Sequence, residues 1–106
     1  MKKINITITG ALGRMGKILI KRISKNKSLK LFSLTDLKSG KTVNGIETQK
    51  NNIAAFKKTD VIIDFSRPKA SLEILNYAKK LNKKVVIGTT GFTKQQNNLI
   101  KNYSKK

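Results

Sequence analysis

Gly10-Ala11-Leu12-Gly13-Arg14-Met15-Gly16 is the stretch on which the fold turns. Before it, Ile4-Asn5-Ile6-Thr7-Ile8-Thr9 alternates apolar and polar residues and is rich in β-branched side chains, which reads as a strand. After it, Ile18-Leu19-Ile20 runs to Ile23 with Lys17, Lys21 and Arg22 interspersed. Gly16, Ile20 and Ile23 share one face at helical spacing, so this segment reads as a helix. Strand, glycine loop and helix in that order form a phosphate-binding context. The physical reason is access. The first N–H groups of a helix lack internal partners and its dipole favours an anion, whereas a Cβ at the closest point would hold a phosphate away. Gly10 can make the sharp turn out of the strand, Gly13 can allow close backbone approach, and Gly16 lets the helix sit against the sheet. The spacing is G-x-x-G-x-x-G because Leu12 stands in the middle of the first half. Taken alone, the loop also fits a plain glycine-rich strand-to-helix turn.

Composition bounds the rest. With 106 residues the chain is at most one domain. It has no cysteine, which excludes disulfides and thiolate metal sites, and no histidine, the commonest general acid/base and metal ligand. No apolar run reaches membrane-spanning length and no secretory leader is evident, so a soluble cytoplasmic protein without membrane partners is expected. The formal net charge is +19. That balance raises the possibility of a basic nucleic-acid-binding protein. Against it, the lysines are spread over the whole chain, arginine stands only at 14, 22 and 67, and no aromatic residues interleave with the basic ones. A lysine-rich surface would in any case attract the phosphates of a dinucleotide.

Further along, Leu29-Lys30-Leu31-Phe32-Ser33-Leu34-Thr35-Asp36 reads as a second strand ending in an acid. An acid about twenty residues after the glycines is placed to hold the hydroxyls of an adenosine ribose. Leu37 and Lys38 follow. An arginine beside the acid would suit a 2′-phosphate; Lys38 offers charge there without a fork, so the site is read as able to take NADH and also NADPH. Residues 38–59 read as a surface loop with little chemistry, turning at Gly40, Gly45 and Asn51-Asn52, with one or two helical turns over 53–58. Asp60-Val61-Ile62-Ile63-Asp64-Phe65 has the look of a parallel strand buried on both faces. Pro68 then opens a helix, with Ser66 or Arg67 near its cap and Leu72, Leu75 and Ala78 predicted on its core face. Val85 to Ile87 reads as a fully apolar fourth strand, and Gly88-Thr89-Thr90-Gly91 as its exit turn. A last helix is predicted from Thr93 to about Tyr103, with Thr93 as N-cap.

Three stretches carry a family resemblance: Gly10 to Gly16, Asp64-Phe65-Ser66-Arg67-Pro68, and Val86-Ile87-Gly88-Thr89-Thr90-Gly91-Phe92. In order and spacing they resemble the N-terminal domain of the 4-hydroxy-tetrahydrodipicolinate reductase (dihydrodipicolinate reductase) family, and the similarity runs through nearly the whole chain. The resemblance implies an α/β fold: a Rossmann-like parallel sheet with helices on both faces, truncated before the fifth strand and the second domain. It implies an NADH- or NADPH-dependent oxidoreductase of diaminopimelate and lysine biosynthesis. On that pattern Gly10, Ala11, Leu12, Gly13, Arg14 and Met15 hold the pyrophosphate, Asp36 holds the adenosine ribose, and Gly88, Thr89 and Thr90 lie along the nicotinamide. Thr90 is also where substrate would approach.

Leu37 departs from the family, which often has a basic residue there, and this weakens an NADPH preference. A larger departure is length. Family members continue into an Asn-Phe-Ser strand and a second domain with a His-His-x-x-Lys motif. That domain supplies the proton donor and the substrate-binding lysine and builds a homotetramer. Residues 1–106 are therefore expected to be an incomplete dinucleotide-binding domain with no catalytic residue and no metal site, meeting substrate only together with the second domain and inactive alone. The competing expectations are a stand-alone dinucleotide-binding module without catalysis and, less favoured, the nucleic-acid-binding protein.

Overall fold

A computed structural model describes residues 3–88 of the chain. Along it run β1 (Ile4–Thr9), α1 (Arg14–Ser24), β2 (Leu29–Thr35), β3 (Thr42–Val43), β4 (Ile46–Gln49), α2 (Ile53–Lys57), β5 (Val61–Asp64), α3 (Pro68–Leu81) and β6 (Lys84–Ile87). The strands form one six-stranded sheet in the order β3-β4-β2-β1-β5-β6. β4, β2, β1, β5 and β6 are parallel, and β3 alone runs antiparallel, against β4. The expected Rossmann-like sheet with helices on both faces is thus present.

β1 sits centrally and explains both layers. Ile6 and Ile8 face α1, where they pack with Leu34 of β2 and with Ile20 and Ile23 of the helix. Thr7 and Thr9 are also fully buried, but on the opposite face. A buried hydroxyl must find a partner. Thr7 Oγ1 shares a hydrogen bond of 2.7 Å with Ser33 Oγ and another with Thr59 Oγ1. Ser33 Oγ in turn donates to the Ala55 carbonyl of α2 at 2.8 Å. This hydroxyl cluster fastens α2 to the sheet, beside an apolar cluster of Phe56, Ile62, Ile74 and Ala78. The Ile/Thr alternation of β1 therefore marks two kinds of buried face.

Residues 38–59 are more ordered than a surface loop. Asn44 and Gly45 take φ of 54° and 81°, and this left-handed pair closes a two-residue hairpin between β3 and β4. Asn-Gly is the favoured pair for such a turn because both positions need positive φ. β4 then pairs with β2, Leu34 against Thr48 and Thr35 against Gln49. The sheet consequently gains two strands over the four expected. α2 begins at Asn52, whose side chain caps the Ala55 N–H at 3.0 Å.

Three other expectations shift. The core face of α3 is Ser71, Ile74, Leu75 and Ala78, with Leu72 only half-buried. Leu75 and Ala78 are buried as expected; Ser71 takes the inward place of Leu72 because its hydroxyl donates to the buried Asp64 carboxylate. β6 is not buried on both sides: Val86 is 56% exposed, while Val85 and Ile87 are half-buried. The β5 strand is likewise graded, with Ile62 and Asp64 buried and Val61 and Ile63 half-buried. Thr89, Thr90, Gly91 and the helix expected from Thr93 lie outside the described residues.

Candidate functional site

The chain leaves β1 for β2 on one side and later returns to β5 on the other side of β1. Such a switch point opens a crevice at the carboxyl ends of the strands, where open α/β sheets bind ligands. Here it is a cleft of about 640 Å³. Taken across the sheet, it is lined by Lys50 and Asn51 beyond β4, Asp36 and Lys38 beyond β2, Gly10, Leu12 and Gly13 beyond β1, and Phe65, Ser66 and Arg67 beyond β5, with Glu73 of α3.

The glycine loop is built by two separate constraints. Gly10 turns the chain at φ 66°, and a Cβ there would run into the Phe65 carbonyl, so both conformation and space require glycine. Gly16 is buried; a Cβ on it would come within 2.5 Å of the Gly10 carbonyl oxygen and 2.9 Å of Ala11 Cα. Its role is therefore to seat α1 on the loop rather than on the sheet. Gly13 differs. A Cβ there would meet only the Gly10 carbonyl oxygen, at 3.3 Å, and Gly13 lines the cleft.

Gly13 is also the N-cap of α1 in extended conformation. No side chain caps this helix and no acid stands in its first turn, whereas Arg14 does. The amino end of α1 thus presents N–H groups and positive charge without an internal anion, a setting that suits a phosphate. Lys38, Lys50 and Arg67 add three cations to the cleft against Asp36 and Glu73.

Asp36 joins this loop to β2. Its Oδ2 accepts the Leu12 N–H at 3.0 Å and its Oδ1 accepts the Lys38 N–H at 3.3 Å. The Ala11 N–H donates to the Thr35 carbonyl at 3.1 Å beside it. An ionised carboxylate offers about four acceptor positions, so two bonds leave capacity for ribose hydroxyls. At the end of β5, Asp64 is wholly buried. Its carboxylate accepts from Thr9 Oγ1, Ser66 Oγ, Ser71 Oγ and, at 3.0 Å, the Ser66 N–H. These bonds fix the Phe65–Arg67 turn against β1.

Of the residues named from sequence, Gly10, Leu12, Gly13 and Asp36 line the cleft. Ala11 is buried beneath the loop, and Arg14 and Met15 are exposed on the first turn of α1, Met15 by 49%. Gly88 follows β6, donates its N–H to the Asp64 carbonyl at 2.7 Å, and lies under the Phe65 ring, which a Cβ would strike. Thr89 and Thr90 fall outside the described residues. Sequence reasoning missed Lys50, Asn51, Ser66, Arg67 and Glu73 as cleft residues. The Asn44-Gly45 pair was the available signal for the first two, since it announces β4. Among the described residues no three His, Cys, Asp or Glu side chains gather as a metal site, and no helix is long and apolar enough to cross a membrane.

A family model described as "Dihydrodipicolinate reductase, N-terminus" matches residues 4–106. The chain belongs to the dihydrodipicolinate reductase family. It corresponds to the N-terminal, nucleotide-binding domain of those reductases. A 4-hydroxy-tetrahydrodipicolinate reductase of Pelagibacter ubique is 54% identical over 106 residues, covering 99% of this chain and 41% of the relative. One from Buchnera aphidicola of Cinara cedri is 47% identical, covering 98% and 43%. The chain spans about two fifths of the length of these curated relatives. Among solved structures, a dipicolinate-bound dihydrodipicolinate reductase from Paenisporosarcina superposes with a TM-score of 0.76 at 23% identity, covering 96% of this chain and 43% of that one. That likeness shows the fold.

Proposed function

We propose that the chain is the NAD(P)H-binding part of a 4-hydroxy-tetrahydrodipicolinate reductase, a cytoplasmic enzyme of diaminopimelate and lysine biosynthesis. The observation that carries this reading is the coincidence of three features at one switch point: the uncapped amino end of α1 behind Gly10–Gly13, the Asp36 carboxylate beside it, and the cleft that both line. When bound, NADH or NADPH supplies the hydride.

The chain's own residues bind and orient. The N–H groups of the first turn of α1, with its dipole and Arg14, take the pyrophosphate, which Gly10 and Gly13 let approach; the Ala11, Leu12 and Gly13 N–H groups are bonded within the protein and hold the loop in shape. Asp36 takes the adenosine ribose hydroxyls while keeping Leu12 in place. Gly88, Thr89 and Thr90 serve the nicotinamide end, a reading that the resemblance of the Val86–Phe92 stretch to the family supports. Lys38 and Lys50 line the cleft together with Asp36, so a 2′-phosphate meets two cations and one anion there. This arrangement accepts both NADH and NADPH.

Hydride transfer needs donor and acceptor held in near-attack geometry. The substrate side of that geometry comes from a second domain, which also builds the homotetramer. The 106 residues are the dinucleotide-binding domain and do not turn over alone. The test is a chimera in which this chain replaces the matching N-terminal part of the Pelagibacter relative. Reductase activity in the chimera, and none from the 106-residue chain, supports the reading. A folded, dinucleotide-binding chimera without activity contradicts it.

A further inference from the structure

Lysines scattered through the sequence are gathered by the fold at the amino ends of the parallel strands, the end of the sheet opposite the cleft. Lys25 and Lys27 precede β2, Lys3 precedes β1, Lys57 and Lys58 precede β5, and Lys84 opens β6. These four strands are neighbours, so the lysines form a row across three strand spacings, about 14 Å. All six are exposed. In the links that begin these strands Asp60 is the one acid, and its Oδ2 accepts the Asn5 N–H at 2.8 Å.

The backbone that carries the row is tied together. The Ile4 N–H donates to the Ser28 carbonyl at 3.0 Å and the Asp60 N–H to the Asn5 carbonyl at 2.9 Å. Asn5 Nδ2 donates to the Lys58 carbonyl at 3.0 Å. The stems therefore stand at set positions along the edge. A lysine near a helix carboxyl end answers the helix dipole, and α1, α2 and α3 all end here. That accounts for Lys25, Lys57 and Lys58. Lys3, Lys27 and Lys84 lie outside the helices and their end caps. Each helix end carries about half a negative charge, so even with Asp60 the six lysines keep a clear positive excess.

We propose that this edge contacts the phosphate backbone of duplex nucleic acid without reading its sequence. The proposal rests on the row of lysines and not on the cofactor reading. Lysine is a point charge on a flexible stem, which suits phosphates rather than base edges. The links hold no arginine for a bidentate base contact and no aromatic ring on which an unpaired base would stack. The helices meet this edge end-on, so none lays an apolar face along it as a bilayer would require.

The test is fluorescence anisotropy of a short labelled DNA duplex of mixed sequence, titrated with the 106-residue chain over a range of salt. Two triple variants carry the same net charge. One changes the edge by Lys27→Gln, Lys58→Gln and Lys84→Gln. The other changes lysines exposed elsewhere by Lys17→Gln, Lys41→Gln and Lys69→Gln. The edge triple should weaken binding about tenfold or more and flatten the slope of log affinity against log salt by about 2 to 3. The second triple should keep the slope of the unaltered chain, and arginine at the three edge positions should keep the affinity. Saturating NADH should leave duplex binding unchanged, because the cleft lies at the other end of the strands. Equal losses in the two triples would reduce the effect to net charge and overturn the proposal. So would displacement of the duplex by NADH, absence of duplex binding, or binding to phosphatidylserine vesicles in its place. None of these last outcomes but displacement by NADH bears on the cleft.

Discussion

The Asp36 carboxylate accepts the Leu12 N–H at 3.0 Å, so the acid at the end of β2 and the glycine loop after β1 form one unit before any ligand enters. Asp36 holds the loop and, on the proposed cofactor reading, also offers its remaining acceptor positions to a ribose. Asp36→Ala removes both. Hydrogen bonds to a charged group contribute about 1.5–3 kcal/mol, so NADH affinity should fall about 10- to 100-fold. A titration showing unchanged affinity would remove Asp36 from the site.

Gly10 and Gly13 should separate stability from binding. Gly10→Ala forces a side chain into φ 66° and against the Phe65 carbonyl. Alanine at a positive-φ position costs more than about 1 kcal/mol, and for a chain of this size that lowers the melting temperature by at least about 4 °C. Gly13→Ala meets the Gly10 carbonyl oxygen at 3.3 Å and has an ordinary φ of −75°, so melting should change little. Its Cβ stands where a phosphate must approach, and NADH binding should weaken at least tenfold. Equal effects of both changes on both measurements would contradict this division.

Asp64 is buried beneath α3 with hydroxyls from Thr9, Ser66 and Ser71 turned toward it. Asp64→Ala removes the short acceptor of all three, leaving Ser66 and Ser71 only long contacts, to the Arg67 carbonyl at 3.5 Å and to each other at 3.4 Å. Each unsatisfied buried group costs about 1–3 kcal/mol, so the urea midpoint should drop sharply, and more than for Asp36→Ala. A midpoint within error of the unaltered chain would show that the carboxylate does not fix the Phe65–Arg67 turn.

Lys38 and Lys50 should matter for NADPH and not for NADH. Exposed charge pairs contribute about 0.2–1 kcal/mol each, so the double change Lys38→Ala with Lys50→Ala should weaken NADPH about 2- to 30-fold. The loss should shrink at high salt. An equal loss for NADH would mean that the lysines act on the shared phosphates instead.

How much was legible depended on how local each determinant is. The β1 strand, the turn at Gly10, the start of α1 and the position of Asp36 follow from contiguous residues whose chemistry points one way. β3 and β4 were missed because their pieces are two and four residues long and carry no clear alternation. Only the Asn44-Gly45 turn and the edge of β2 specify them, and Lys50 and Asn51 reach the cleft through that pairing. Gly16 was assigned to the sheet, yet its contact is Gly10, six residues back, through a turn that periodicity does not describe. On α3, Leu75 and Ala78 face inward as periodicity predicts, but hydrophobicity favours Leu72 where a buried carboxylate on the neighbouring strand draws Ser71 inward. Burial of Thr7 and Thr9 has the same origin, since their partners, Thr59 and Asp64, are 52 and 55 residues away.

On the proposed function, the cleft at the carboxyl ends of β1, β2 and β5 holds a nicotinamide dinucleotide. The most direct measurement is a fluorescence titration of NADH with the chain, repeated with ADP-ribose and with duplex DNA as competitors. NADH should bind saturably at one dinucleotide per chain and be displaced by ADP-ribose and not by DNA. Absence of saturable binding, or displacement by DNA with no effect of ADP-ribose, would contradict it and favour a basic surface that binds polyanions without a dinucleotide site.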